Sequence, residues 1–246
     1  MIRPYVSLIA GVLALCSLGA TASGGSTVFH YDADVGNTAS LQRGARNYMN
    51  YCAGCHSMKH LRYSRIGQDL GIPDDLLQAN LMFTSDKIGD PIKASIASAD
   101  ALKWFGRVPP DLTLSTRLRG ESWVYSYLMT FYLDPSKPSG VNNLMLPGLS
   151  MPNVLGDLQG WQVLHKADGE DAHGGHAKPK LELVKPGSMS PQEYKDFVSD
   201  LVNFMAYAAE PGRSERVALG WKVMLYLLVL LVVTYLLKKE YWKDVH

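Results

Sequence analysis

Two cysteines and a histidine lie together at Cys52, Cys55 and His56, in the order Cys-x-x-Cys-His. This spacing is the attachment signature of a c-type haem. The two thiols lie about one helical turn apart, so both can add to the vinyl groups on one edge of a porphyrin. The next residue, His56, can then bind the iron through an imidazole nitrogen. Ala53 and Gly54 are small and allow the backbone to approach the ring closely.

Two other chemistries use closely spaced cysteines. A thioredoxin-like dithiol needs a strand before the motif and a βαβ pattern around it, whereas the pattern before Cys52 is helical. A zinc site could combine the motif with His60, but the adjacent Cys and His make tetrahedral closure awkward, and there is no second cysteine pair. The third cysteine, Cys16, lies near the N-terminus in a segment that we expect to be removed, so a disulfide framework is excluded.

The sixth iron ligand decides the type of chemistry, because a filled position favours electron transfer and an open one favours gas or peroxide chemistry. Met151 lies well downstream of the motif in the Pro- and Gly-containing stretch 147–152, a rigid loop that can hold a thioether on the distal face. Met145 is its rival, and His165 is a more distant candidate. The residues alone leave these three open, with Met151 favoured.

The segments that would position these ligands are predicted to be mostly helical. Apolar residues from Leu41 to Cys52 follow one helical face, so a helix capped at Thr38 or Ser40 leads directly into the motif. Ser190, Pro191 and Glu193 form a capping box with proline at the first helical position, which predicts a second long helix ending at 210–212. Shorter helices are expected within 74–82, 94–104 and 120–133.

Two stretches lack a clear period. Residues 57–71 are basic and irregular, and 135–160 is predicted to be a long structured loop, which in a compact domain is usually functional. Residues 165–180 hold several His and Asp residues and are typical of a solvated surface loop. A metal site built on His165, His173 and His176 has no strong spacing to support it.

The two ends of the chain indicate export and anchoring. Residues 1–22 have a positive start, an apolar run and an Ala-x-Ala cleavage site, which predicts a secretory signal peptide. Residues 217–237 would span roughly 31 Å as a helix, about one bilayer core. Three lysines follow this segment and place the C-terminus in the cytoplasm.

The predicted organisation is therefore an exported haem domain over 23–212 and a linker and interface over 213–222. A transmembrane helix core over 223–237 and a cytoplasmic tail over 238–246 complete it. Residues 23–212 contain 17 Lys and Arg against 20 Asp and Glu, a formal charge of −3 that suits a basic, soluble partner. The net charge of the whole chain is +1, which gives no indication of a nucleic-acid partner.

Several features outside the haem motif are selective when they occur together. The chain resembles the cytochrome c1 family in Tyr48 before the motif, the Pro-Pro-Asp-Leu element at 109–112, the Met151-Pro152 loop, the Tyr-Ala-Ala-Glu-Pro ending at 207–211 and the C-terminal anchor. The resemblance implies a mainly α, cytochrome c-like haem domain with long loops and one C-terminal transmembrane helix. It implies that Met151 is the sixth iron ligand, that Arg119 pairs with a haem propionate and that Tyr125 lines the pocket.

The resemblance also implies a function. Members of the family are the one-electron-transfer subunits of ubiquinol–cytochrome c oxidoreductase, the cytochrome bc1 complex. The expected cofactor is one haem c, covalently bound through two thioether bonds. The expected partners are cytochrome b, the Rieske iron–sulfur protein as donor, a cytochrome c as acceptor and membrane lipid, in a dimeric complex. The chain alone would be an electron carrier in a bacterial inner membrane, with its haem domain in the periplasm and no catalytic acid or base of its own.

Two alternatives remain from the residues. One is a membrane-anchored c-type cytochrome subunit of a terminal oxidase or nitric-oxide reductase, although many of these place the anchor at the N-terminus. The other is a haem peroxidase or gas sensor with an open distal site. Rapid ligand binding by the reduced protein distinguishes the second alternative from an electron carrier whose distal position is filled.

Overall fold

The computed structural model describes residues 27–165 and 180–244. The predicted signal peptide over 1–22 lies outside the described residues, as do His173 and His176 of the polar loop.

Two long helices form the centre of the predicted haem domain. Helix α1 covers Thr38–Tyr51, and its N-cap is Asn37, whose side chain accepts a hydrogen bond from the Ser40 backbone N–H at 3.1 Å. The prediction of a cap at Thr38 or Ser40 was therefore wrong by one residue or more. Helix α8 covers Pro191–Ala209 and begins with the predicted Ser190–Glu193 capping box.

These two helices approach each other closely at Gly44. A Cβ atom at this position would lie 2.0 Å from the backbone oxygen of Asp200 and 2.6 Å from Cβ of Phe204. Beside this contact, Arg43 donates two hydrogen bonds to the buried Asp200 carboxylate, at 2.6 and 2.8 Å. The hydroxyl of Ser40 donates a further bond to Asp200 at 2.6 Å. Glycine and the paired carboxylate together allow α1 to dock on α8 without an unpaired buried charge.

Short helices and hairpins surround this pair. The helices are α2 Tyr63–Leu70, α3 Asp74–Leu81, α4 Ser98–Phe105, α5 Ser115–Arg119, α6 Glu121–Met129 and α7 Gly156–Gln159. Three antiparallel pairs are β1 Met58–Arg62 with β2 Pro91–Ile92, β3 Phe131–Leu133 with β4 Val141–Asn143, and β5 Gly160–His165 with β6 Lys180–Pro186. Helices predominate over the described ranges, so the predicted mainly α class is confirmed.

The hairpins account for the places where the observed secondary structure differs from the prediction. The segment 57–71, predicted to be irregular, contains β1 and α2. The helix predicted over 120–133 ends at Met129, because Phe131 pairs with Asn143 and the chain turns into strand β3. The long loop predicted over 135–160 contains β4 and α7.

Helix α9 covers Arg213–Tyr241 and has none of its residues buried. It has 29 residues and includes an 18-residue window with a mean hydropathy of 2.2, which is long and apolar enough to cross a membrane. The segment 213–222, predicted to be a linker, is helical and continuous with the apolar part. Arg213 joins this helix to the haem domain through a 2.6 Å ion pair with Glu121.

Candidate haem site

The Cys-x-x-Cys-His motif forms a tight turn directly after α1. The backbone N–H groups of Cys52 and Ala53 both donate to the carbonyl of Tyr48, at 2.8 and 3.0 Å. Those of Cys55 and His56 both donate to the carbonyl of Cys52, at 3.0 and 2.8 Å. The two cysteines and the histidine are therefore placed by local hydrogen bonds that continue the helix.

Tyr48 secures this turn from the core. Its ring is fully buried, and its hydroxyl donates to the carbonyl of His56 at 2.9 Å. Burial raises the pKa of Tyr48 far above its ordinary value, with nearby acidic groups adding to the effect. The hydroxyl is therefore a permanent donor, which gives the family-like tyrosine before the motif a structural role.

The 109–112 element selects the tautomer of His56. Nδ1 of His56 lies 2.8 Å from the carbonyl oxygen of Pro110. A carbonyl oxygen only accepts hydrogen bonds, so Nδ1 carries the proton and Nε2 keeps a lone pair that can bind a metal. Desolvation lowers the pKa of His56, although the Pro110 carbonyl and the Asp111 carboxylate act in the opposite direction. The imidazole is held as the neutral tautomer that an iron ligand requires.

The same element is tied to the residues that follow the motif. The backbone N–H of Lys59 donates to Oδ2 of Asp111 at 2.8 Å, and the N–H of Leu112 donates to the carbonyl of Ser57 at 2.9 Å. The other oxygen of Asp111 accepts two bonds from Thr113, at 3.0 Å from its N–H and 2.5 Å from its hydroxyl. We call 109–112 together with these contacts the proximal clamp.

A third segment holds the middle of the motif. The carbonyl of Gly54 accepts bonds from the N–H groups of Ser95 and Ile96, both at 3.1 Å. The hydroxyl of Ser57 accepts one from the N–H of Ala94 at 2.9 Å. A Cβ atom at Gly54 would meet nothing within 4 Å, so the space beside its backbone is open to a large planar group.

The two thiols are free and half-buried. Burial, with a smaller contribution from Cys55, raises the pKa of Cys52 to about 12. This raised pKa is unlike the lowered pKa of redox-active dithiols. Among the described residues, no group of three or more His, Cys, Asp or Glu side chains could hold a metal ion. The zinc and dithiol alternatives therefore gain no support.

Met151, the predicted distal ligand, lies in a separate small apolar cluster. It is half-buried and packs against the buried side chains Phe131, Val141 and Leu149. The hydroxyl of Tyr127 donates to the Met151 sulfur at 3.2 Å. Tyr127 also packs against the main core, so it links the cluster of Met151 to the core that supports the motif. Burial raises the pKa of Tyr127, which keeps its hydroxyl protonated.

The two rival ligands have other surroundings. Met145 is half-buried in the turn after β4, where its backbone N–H donates to Asn143 at 2.8 Å. His165 lies at the end of β5 and pairs with Glu182 at 2.9 Å, with more than half of each side chain exposed. Within the described ranges, the Met145 sulfur accepts no hydrogen bond like the one from Tyr127 to Met151.

Arg119 and Tyr125 contact different aromatic neighbours. The Arg119 guanidinium lies 5.0 Å from the ring centre of Trp123, and Trp123 stacks on Tyr127 at 5.2 Å. Tyr125 is buried and stacks on Tyr31 at 4.5 Å, towards the N-terminal segment.

Trp123 and Tyr127 were missed at the level of sequence. They follow Arg119 by four and eight residues, so helical spacing from the predicted propionate partner was the signal that could have found them. The structure thus connects Arg119 to Met151 through two aromatic rings. We call Arg119, Trp123, Tyr127 and Met151 the column from Arg119 to Met151. Tyr125 is not part of it.

These groups fit a haem c. The site offers two unpaired thiols, an imidazole with its Nε2 lone pair available and an open backbone at Gly54. The thioether of Met151 is held in an apolar cluster that Tyr127 connects to the core. Each donor has the protonation state or lone pair that attachment or ligation requires.

Comparison with known proteins identifies the family. The profile of the Cytochrome C1 family matches residues 29–174 and 182–245. The chain belongs to the cytochrome c1 family. Cytochrome c1 of Allochromatium vinosum is 49% identical over 242 residues, which cover 97% of this chain and 98% of that protein. Membership makes this chain an electron-transfer subunit of a cytochrome bc1 complex and confirms the resemblance read from its motifs.

Two other proteins are similar to this chain. A protein named ammonia monooxygenase gamma subunit, from Nitrosomonas europaea, is 45% identical over 213 residues, covering 87% of this chain and 86% of that protein. A solved chain described as hyperthermophilic respiratory Complex III aligns over 100% of this chain and 99% of its own length. Its sequence identity is 17% and its TM-score is 0.45, so it adds nothing to the assignment.

Family membership indicates the cofactor, the partners and a membrane anchor. A cytochrome c1 implies a haem c cofactor and a bc1 complex that contains cytochrome b and a Rieske protein. The C-terminal helix α9 fits a single-pass membrane anchor of such a complex.

Proposed function

We propose that this chain holds one haem c, bound covalently by Cys52 and Cys55 and ligated by His56 and Met151. It receives single electrons from the Rieske protein and passes them to a cytochrome c. The observation that carries this proposal is the His56–Pro110 contact, because it presents Nε2 as the free ligand beside two unpaired thiols. The bound haem supplies the one-electron change between Fe(III) and Fe(II).

The residues of the chain would attach the haem, orient its ligands and tune its reduction potential. Cys52 and Cys55 would hold the haem through two thioether bonds, which their free thiols would form by addition to its vinyl groups. The proximal clamp holds the His56 ring in one tautomer and one orientation. A Met/His ligand pair raises the reduction potential and leaves no open position for gas or peroxide chemistry. Arg119 is positioned by Trp123 to pair with a propionate, and Tyr125, which stacks on Tyr31, is proposed to support the pocket.

The orientation in the membrane follows from charge. Lys238, Lys239 and Lys243 follow the apolar part of α9, which favours a cytoplasmic C-terminus. The haem domain, 23–212, would then lie in the periplasm of a bacterium after removal of 1–22. Its formal charge of −3 suits a basic cytochrome c as acceptor. We place this single-pass subunit in a dimeric complex in the inner membrane.

Ligand substitution tests the site. In Met151→Leu, the Met–iron charge-transfer absorption of the oxidised protein should disappear, because leucine has no lone pair. In the matched variant Met145→Leu, the band should persist. Loss in Met145→Leu alone, or in neither variant, contradicts the ligand assignment. The reduced wild-type protein should bind carbon monoxide slowly, whereas rapid binding supports the open-site alternative.

Co-purification tests the complex. After gentle solubilisation of membranes, b-type haem and an iron–sulfur protein should accompany the tagged chain. The relative named ammonia monooxygenase gamma subunit provides the contrasting outcome. Isolation of this chain with an ammonia-oxidising activity, and without b-type haem, contradicts the proposed partners while leaving the haem site itself intact. Isolation with a terminal oxidase or nitric-oxide reductase contradicts them in the same way.

A further inference from the structure

The contact between Tyr127 and Met151 is the single side-chain hydrogen bond to a sulfur atom found over the described ranges. The hydroxyl oxygen lies 3.2 Å from the sulfur. A thioether sulfur is a weak hydrogen-bond acceptor, so this bond alone stabilises the position of a buried tyrosine only slightly. The packing of the Tyr127 ring must therefore direct its hydroxyl at the sulfur.

Four contacts hold Tyr127 in place. Its ring stacks on Trp123 with an angle of 12° between the planes, and it meets Phe131 edge to face at 5.2 Å. Its backbone carbonyl accepts a bond from the side chain of Asn143 at 2.7 Å. Its ring also bridges the main core and the cluster of Met151. The hydroxyl is directed at the sulfur by packing on both sides.

A thioether sulfur has two lone pairs. A hydrogen bond to one of them leaves the second available to iron and limits rotation of the methionine side chain. The bond also draws electron density from the sulfur, so the sulfur stabilises Fe(III) less than it would alone. Hydrogen bonds to the ligands of a redox metal are a general means of tuning its potential.

We propose that Tyr127 is a positioning residue for Met151, which orients the ligand sulfur and raises the reduction potential through its hydrogen bond. This proposal rests on the proposed function, since it takes Met151 as an iron ligand. Trp123 contributes by holding the Tyr127 ring, so the column from Arg119 to Met151 connects the predicted propionate partner to the axial ligand.

The test is the midpoint potential of the Tyr127→Phe variant in the full membrane-anchored protein. Loss of the hydroxyl should favour the oxidised state by about tenfold, which lowers the potential by about 59 mV for a one-electron couple. The matched control is Tyr132→Phe, since Tyr132 lies in β3 and the described structure shows it no contact with Met151. A shift in Tyr127→Phe no larger than in Tyr132→Phe overturns the proposal.

A double variant shows whether the effect passes through the sulfur. In a Met151→Leu background, Tyr127→Phe should leave the potential unchanged, because the acceptor of the hydrogen bond is gone. An equal shift in both backgrounds means that the hydroxyl acts as a general dipole, and overturns the positioning role. A wild-type protein without the Met–iron band contradicts the ligand assignment. A normal band combined with an unshifted Tyr127→Phe potential contradicts only the role of Tyr127.

Discussion

The two sides of the proposed haem site, proximal at His56 and distal at Met151, are held by different kinds of interaction. On the proximal side, backbone groups from 94–96, 109–112 and the end of α1 bond to the motif or to Ser57, which follows it directly. On the distal side, the Met151 side chain packs in a cluster of three buried residues and accepts one hydrogen bond from Tyr127. The proximal side is therefore a rigid backbone framework, whereas the distal side depends on a few side chains.

This difference has a consequence for substitutions. A backbone framework tolerates a change of one side chain, because most of its donors and acceptors belong to the main chain. A side-chain contact is lost completely when its single partner is removed. We therefore expect distal variants to change the spectrum and the potential, and proximal variants to act on attachment or stability.

The largest effect is expected from removing both thiols. The double variant Cys52→Ala with Cys55→Ala should lose covalent haem entirely, because no other cysteine remains in 23–246. The measurement is haem-dependent peroxidase staining after a denaturing gel. Met151→Leu should stain like wild type, since the distal ligand makes no covalent bond. Persistent staining of the double variant contradicts attachment at these positions.

Docking of α1 on α8 supports the proximal side from a distance. Gly44→Ala should lower the free energy of unfolding by about 3 kcal/mol, because the new Cβ collides with the backbone at Asp200. The unfolding temperature of the holoprotein in detergent should fall by about 6–12 °C. The control is Gly89→Ala, where an added Cβ would meet nothing within 4 Å and the temperature should stay nearly constant. An unchanged unfolding temperature in Gly44→Ala means that the two helices do not approach each other as described.

The proximal clamp contains one charged acceptor that can be removed by itself. Asp111→Ala leaves the N–H groups of Lys59 and Thr113 without their acceptor and should cost about 2 kcal/mol of stability. Thermal unfolding in detergent measures this loss. The Met–iron band should remain, because the distal cluster is untouched. If the band disappears with little change in stability, the proximal side is not the rigid framework described above.

The smallest effect is expected at the start of α8. Ser190→Ala removes the side-chain acceptor for the Glu193 N–H, a 3.3 Å bond, and should cost about 1 kcal/mol. Ser190→Asp keeps an acceptor and should melt close to wild type. Neither variant should change the potential or the Met–iron band, because the cap lies outside both sides of the site. A changed potential in Ser190→Ala means that the end of α8 is coupled to the haem.

Local features of the chain were predicted well. The capping box at Ser190 and the Cys-x-x-Cys-His turn depend on residues at most five positions apart, so their chemistry is visible in a short window. The hairpins were missed because each pairs segments whose partners are set by docking, as with Phe131 and Asn143. That pairing also ended the helix predicted over 120–133 at Met129.

The sequence by itself was enough to predict the haem motif, the membrane anchor and Met151 as the favoured distal ligand, because residue type and spacing carry that chemistry. Only the tertiary structure decided which groups orient the ligands. Pro110 meets His56 across 54 positions, and Tyr127 meets Met151 across 24. No local pattern encodes such pairs, since they form only when packing of the core brings the segments together. The same packing turned Tyr125 towards Tyr31 and placed Tyr127, two residues later, beside Met151.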